Sequence, residues 1–138
     1  MKIDLNKYLG KWFEIAQIPN EFEPNMKDVT TTYELIDNGV IKITNRGTIN
    51  GVEKEVTAMA FKTEQDDLLN VVFYPDISSS YRILAIDSNY QYALVGGDKP
   101  NYLWILSREK TIDKNTFNKF INIAKNKNYN VNDIILLW

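Results

Sequence analysis

Few side chains in this sequence can do chemistry, and Glu14 stands out among them. It lies in "YLGKWFEIAQIP", residues 8–19, in line with Trp12 under a two-residue period. A carboxylate shielded among aromatic rings can serve as a general acid or base. It would need a second group, and the choice is narrow. The 138 residues include no His and no Cys. Ser-His-Asp and Cys-His catalysis, thiolate metal sites, most zinc sites and a histidine-ligated haem are therefore excluded. Only carboxylates, Lys and Tyr remain, and no catalytic residue, metal or cofactor is expected. The structural reading of Glu14 is a buried hydrogen-bonding partner of a Tyr, the backbone or a trapped water. A carboxylate taken out of water must be paired, hydrated or protonated.

The elements that position Glu14 are strands. The run Lys11 to Ile18 is closed by Pro19 and followed by the polar loop "PNEFEPNMKD". "VTTTYELI" is rich in β-branched residues. Asn38-Gly39 and Asn50-Gly51 are hairpin turns, since both residue types tolerate positive φ. "VIKITNRGTI", "VEKEVTAMAFK", "LLNVVFYP", "SYRILAID", "YQYALVGG" and "NYLWILSR" complete about eight strands. Regular spacing with turn signals predicts an all-β fold, an eight-stranded up-and-down antiparallel β-barrel. The period then changes. Phe117, Phe120, Ile121 and Ala124 fall at i, i+3, i+4 and i+7, one helical stripe over about 113–127 with Asp113 as N-cap. The stripe needs an apolar surface outside the barrel, which Phe13 and Ile15 offer. An extended tail over about 130–138 completes a single domain spanning 1–138, with the barrel over about 10–108.

Strand parity predicts what faces inward. Trp12, Ala16 and Ile18 are expected inside, with Tyr33, Leu35, Ile41, Ile43, Asn45, Met59, Phe61, Leu69, Val71, Phe73, Tyr81, Ile83, Val95, Tyr102, Trp104 and Leu106. Such a lining makes either a packed core or a ligand cavity, and periodicity does not choose between them. The formal net charge of −2 gives no reason to expect nucleic acid. "MKIDLNKYLG" lacks the apolar stretch of a signal peptide. Either none is used, or the chain begins at a mature end behind an added methionine.

Gly10-Lys11-Trp12 opening the first strand, "DSNYQYALV" before and within the seventh, and Arg108 ending "YLWILSR" resemble the three signatures of the lipocalins. "LGKWFEIAQIPNEFE", "TTTYELIDNGVIKITNRG", "YALVGG" and "YLWILSR" resemble, more closely, the bacterial lipocalins of the outer-membrane lipoprotein type, relatives of apolipoprotein D. The likeness runs from about Leu5 to the C-terminus. It implies a scaffold role for Gly10, Trp12 and Arg108, with the guanidinium packed over the indole at the closed end. It implies a carrier of a small hydrophobic ligand, a fatty acid or lysophospholipid, in the cell envelope. A cytoplasmic location is left open by the N-terminus.

On that reading Tyr33, Asn45, Tyr81 and Tyr102 are candidate polar groups of the cavity, and Phe73 and Trp104 candidate walls. The plainer reading makes each a core residue. Phe22 and Met26 are candidate lid-loop residues or rim anchors, and Glu21 and Glu23 are expected to be solvated. Two other classes stay open: a lipid-modifying enzyme using Glu14, and a protein-interaction lipocalin with a filled core. "YPDISSSY" offers Tyr74 and Ile77 to a partner or a membrane surface. Either a monomer or a homodimer fits the sequence.

Overall fold

A computed structural model describes residues 2–21, 26–73 and 77–138, with the backbone alone at Ile77. A one-turn helix α1 (Leu5–Tyr8) leads into β1 (Gly10–Gln17), β2 (Lys27–Asp37), β3 (Val40–Ile49), β4 (Val52–Lys62), β5 (Leu68–Phe73), β6 (Ile77–Ile86), β7 (Tyr92–Gly96) and β8 (Leu103–Ser107). Helix α2 (Lys114–Asn126) and a short β9 (Ile135–Leu136) follow. Each strand from β2 to β7 pairs antiparallel with the next in sequence. β1 pairs with both β8 and β2, which closes the barrel. The hairpins turn where Asn-Gly demands it. Gly39 has φ +73°, and Asn50 and Gly51 have φ +52° and +78°.

Two apolar layers lie on either side of the barrel wall. Inside are Trp12, Tyr33, Ile41, Ile43, Leu69, Val71, Ile83, Val95 and Leu106, among others. Outside, Ile15, Leu84, Leu94, Leu103 and Ile105 meet Phe120 and Ala124 of α2, flanked by Phe13, Phe117 and Ile121. The Asp113 carboxylate accepts from the Thr116 N–H at 3.1 Å and starts the helix.

The opening strand fails to alternate because it carries a bulge. Glu14 pairs with Leu106, but the next partner, Ile105, faces Ala16 rather than Ile15. The extra residue reverses parity. Ala16 and Ile18 therefore join the helix-side layer instead of facing the interior as expected. Gln17, paired with Trp104, turns inward.

A second correction concerns β4. Ala58 and Ala60, not Met59 and Phe61, face the interior. Met59 and Phe61 are 36% and 42% exposed on the outer surface. The neighbours explain the choice. Ala60 sits between Ile41 and Val71, and Ala58 between Ile43 and Phe73. Small side chains there let the bulky ones interdigitate. Leu35 pairs with buried Ile41 but lies at the strand's end, 51% exposed rather than enclosed.

The tail is part of the wall. β9 runs antiparallel to β1 at Ala16 and Gln17. Leu137 N–H donates to the Ile15 carbonyl at 2.9 Å, and Asp28 N–H donates to the Leu137 carbonyl at 2.8 Å. The tail thus bridges β1 and the start of β2, beyond the reach of their direct pairing. Leu137 is buried with Met26 and Val29. The Trp138 indole donates to the Val29 carbonyl at 2.9 Å and meets Phe13 edge-on.

Candidate functional site

The closed end is built around Trp12. The chain enters β1 through Gly10, whose φ of +100° disfavours any side chain. That turn brings α1 across the floor. The Trp12 indole donates to the Tyr8 carbonyl at 2.8 Å. The Arg108 guanidinium lies 3.7 Å from the centre of the Trp12 ring, a cation–π contact worth about 0.5–2 kcal/mol. Its nitrogens donate to the carbonyls of Lys7, Tyr8, Leu9 and Lys11 at 2.9–3.2 Å, and to that of Tyr90 at 3.1 Å. Arg108 therefore ties α1, β1 and the β6–β7 turn to the end of β8.

Above this floor three phenols meet. Tyr81 is hydrogen-bonded to Tyr33 at 2.6 Å and to Tyr8 by a shorter contact. The Tyr8 ring packs on both Trp12 and Tyr33, at 5.3 and 5.0 Å between centroids. Burial is the main cause that pushes the Tyr33 hydroxyl up to about 12. Tyr8 and Tyr81 are also raised, first by burial. All three stay neutral across the physiological range. α1 and its Tyr8 went unforeseen in the sequence, where four residues behind an Asp cap give little periodic signal.

A cavity opens above the phenols. Its walls are Tyr33, Tyr81, Ile43, Val95 and Leu106, with Phe73 and Trp104 toward the mouth and Glu14, Thr31 and Asn45 on one side. It has about 40 Å³ of room for water-sized molecules. Glu14 is 3% exposed, as its in-line position with Trp12 predicts. Thr31 and Asn45 face each other across the β2–β3 ladder, one step along from Tyr33. Of the expected site residues, Tyr33, Asn45, Phe73, Tyr81 and Trp104 converge here. Thr31 was missed because a Thr among β-branched strand formers carries no signal of its own.

Tyr102 stands apart. It precedes β8, stacks on Trp104 at 6.4 Å, and its hydroxyl donates to the Glu21 carboxylate. Burial, then that bond, raises Tyr102 to about 12, and the same bond lowers Glu21 below the usual carboxylate value. Glu21 is thus engaged rather than merely solvated. Met26 is buried as a rim anchor. Phe22, Glu23 and Tyr74 lie outside the described residues, as does the side chain of Ile77. Among the described residues no cluster of acidic side chains could hold a metal ion, and no helix is long and apolar enough to cross a membrane.

Residues 3–137 match the family model described as a lipocalin-like domain. The chain is 36% identical to the outer membrane lipoprotein Blc of Vibrio cholerae, over 96% of this chain and 80% of that protein. It is 35% identical to a putative lipocalin of Acanthamoeba polyphaga mimivirus, over 96% and 83%. Lobster apocrustacyanin A1 shares the fold with a TM-score of 0.79 at 18% identity, over 95% of this chain and 77% of that one. Barrel, clasped floor and matched length agree: the chain belongs to the lipocalin family, whose members bind small hydrophobic ligands and are generally carriers rather than enzymes.

Proposed function

We propose that this lipocalin binds single-chain lipids, fatty acids or lysophospholipids, in its barrel and transports or stores them. The observation that carries the reading is the cavity beneath Phe73 and Trp104, largely apolar, with Glu14, Thr31 and Asn45 on one side and the phenols at its base. Such a lining suits an acyl chain, whose burial contributes about 0.8 kcal/mol per methylene. A long chain needs more room than the present cavity holds. It enters by displacing the side chains of Phe73 and Trp104, which stand at the mouthward ends of β5 and β8. The name of the Vibrio cholerae relative supports a place in the cell envelope. Tyr33, Asn45, Phe73, Tyr81 and Trp104 are the contacts we assign, with Tyr102 and Met26 at the rim.

Native mass spectrometry of the purified protein tests this. Co-purified or added single-chain lipid should ride on the folded protein at one copy, and a bulky Ile43→Trp variant should lose it. Repeated absence of lipid, with no uptake of added fatty acid or lysophospholipid, would overturn the carrier reading. The small cavity would then favour a protein-interaction role with a filled core.

A further inference from the structure

The cavity's polar groups are unevenly supplied with protons. In the chain Tyr33–Tyr81–Tyr8, two hydrogen bonds join three hydroxyls. Above it, Asn45 Oδ1 is sheltered from solvent and makes no hydrogen bond, on a residue 7% exposed. Thr31 Oγ1, beside the Tyr33 hydroxyl, makes no well-formed bond either. The Glu14 carboxylate, an acceptor when ionised, borders the same space. No Lys or Arg lines it, and the stretches 22–25 and 74–76 contain none in sequence. Arg108 is committed to backbone carbonyls beneath Trp12. The lower cavity therefore offers sheltered acceptors and no cationic lining side chain. A sheltered acceptor left unmade costs free energy that a ligand donor restores. An anionic head would instead be taken out of water with no lining cation to pair it.

We propose that the lower calyx is a head-group site for the hydroxyl or amine end of a single-chain amphiphile. The head is seated against Asn45, Thr31 and Glu14, and the chain runs up past Phe73 and Trp104. This rests on the carrier reading and narrows its ligand class. Hydrogen-bond-donating, non-anionic heads enter first, while a fatty-acid carboxylate is left at the mouth.

The test is displacement of the uncharged fluorescent probe N-phenyl-1-naphthylamine by dodecanol, dodecylamine and dodecanoate near neutral pH. On the wild-type protein the alcohol and amine should compete about tenfold more tightly than the acid. Asn45→Leu should weaken the alcohol and amine by about the same factor relative to dodecanoate, each compared with that variant's own probe affinity. Dodecanoate binding as tightly as dodecanol, or equal binding of all three that Asn45→Leu does not alter, overturns the head site and leaves the carrier reading standing. Failure of the probe and every amphiphile to bind overturns both. If Asn45→Leu does not fold by circular dichroism, the wild-type series decides the matter.

Discussion

A phenol in the barrel floor loses its proton only at a cost, because the phenolate would sit without water. Tyr33 is raised to about 12, against a usual value of 10.0. The sign follows from linkage. Below about pH 10 neither folded nor unfolded chain has ionised this group, and its contribution to stability is complete. Between about 10 and 12 the unfolded chain sheds the proton first, so stability falls as pH rises. Tyr33 alone accounts for about 2–3 kcal/mol, and Tyr8 and Tyr81 shift in the same direction. Urea unfolding followed from about pH 8 to 12, alongside tyrosinate absorbance, should show these hydroxyls ionising together with loss of fold. Tyr81→Phe should flatten that alkaline decline. Ionisation of all eight tyrosines near pH 10 in a folded barrel would contradict the arrangement.

At the scale of the element, β4 makes the sharpest claim. Ala60→Leu forces a larger group between Ile41 and Val71 and should cost about 1–3 kcal/mol. Phe61→Lys, on the outer surface, should stay within about 0.5 kcal/mol. Chemical denaturation of both variants checks the register, and the reverse ranking would refute it. The same strand shows where sequence reading stops. The Asn-Gly turns fix the hairpins, and the Phe117/Phe120/Ile121/Ala124 stripe fixes the helix, because both signals are local. Which parity of "VTAMAFK" faces inward depends on the bulk of β3 and β5. The bulge in β1 likewise needs β8 to reveal it, since one extra residue leaves composition unchanged. Asn45, Tyr33, Tyr81, Phe73 and Trp104 were legible because no bulge separates them from their strands' parity. Thr31, Gln17 and Tyr8 were not.

For the whole molecule, the two ends differ. The floor is held by Arg108 and the phenols, whereas the mouth is held on one side by a tail laid between two strands. Deleting residues 134–138 should therefore loosen the mouth selectively. The Leu137 and Trp138 bonds and the apolar contact with Met26 and Val29 disappear, an expected loss of about 2–4 kcal/mol. Hydrogen exchange at Asp28, whose amide would lose its acceptor, should accelerate by at least about tenfold. The Trp12 indole N–H should remain slow. Equal acceleration at both ends would mean that the tail supports the entire barrel rather than its rim.

The Arg108 clasp also sets an order of events on the ribosome. Its bonds to the carbonyls of Lys7, Tyr8, Leu9 and Lys11 span 97–101 residues of chain. At roughly 5–20 residues per second, Trp12 is made about 5–20 s before the guanidinium that covers it. β1 also lacks both its β8 partner and the helix over its outer face throughout that interval. An early strand that is apolar on both sides is a natural client for a chaperone, and closure of the barrel comes late, when nearly all of its wall has been synthesised.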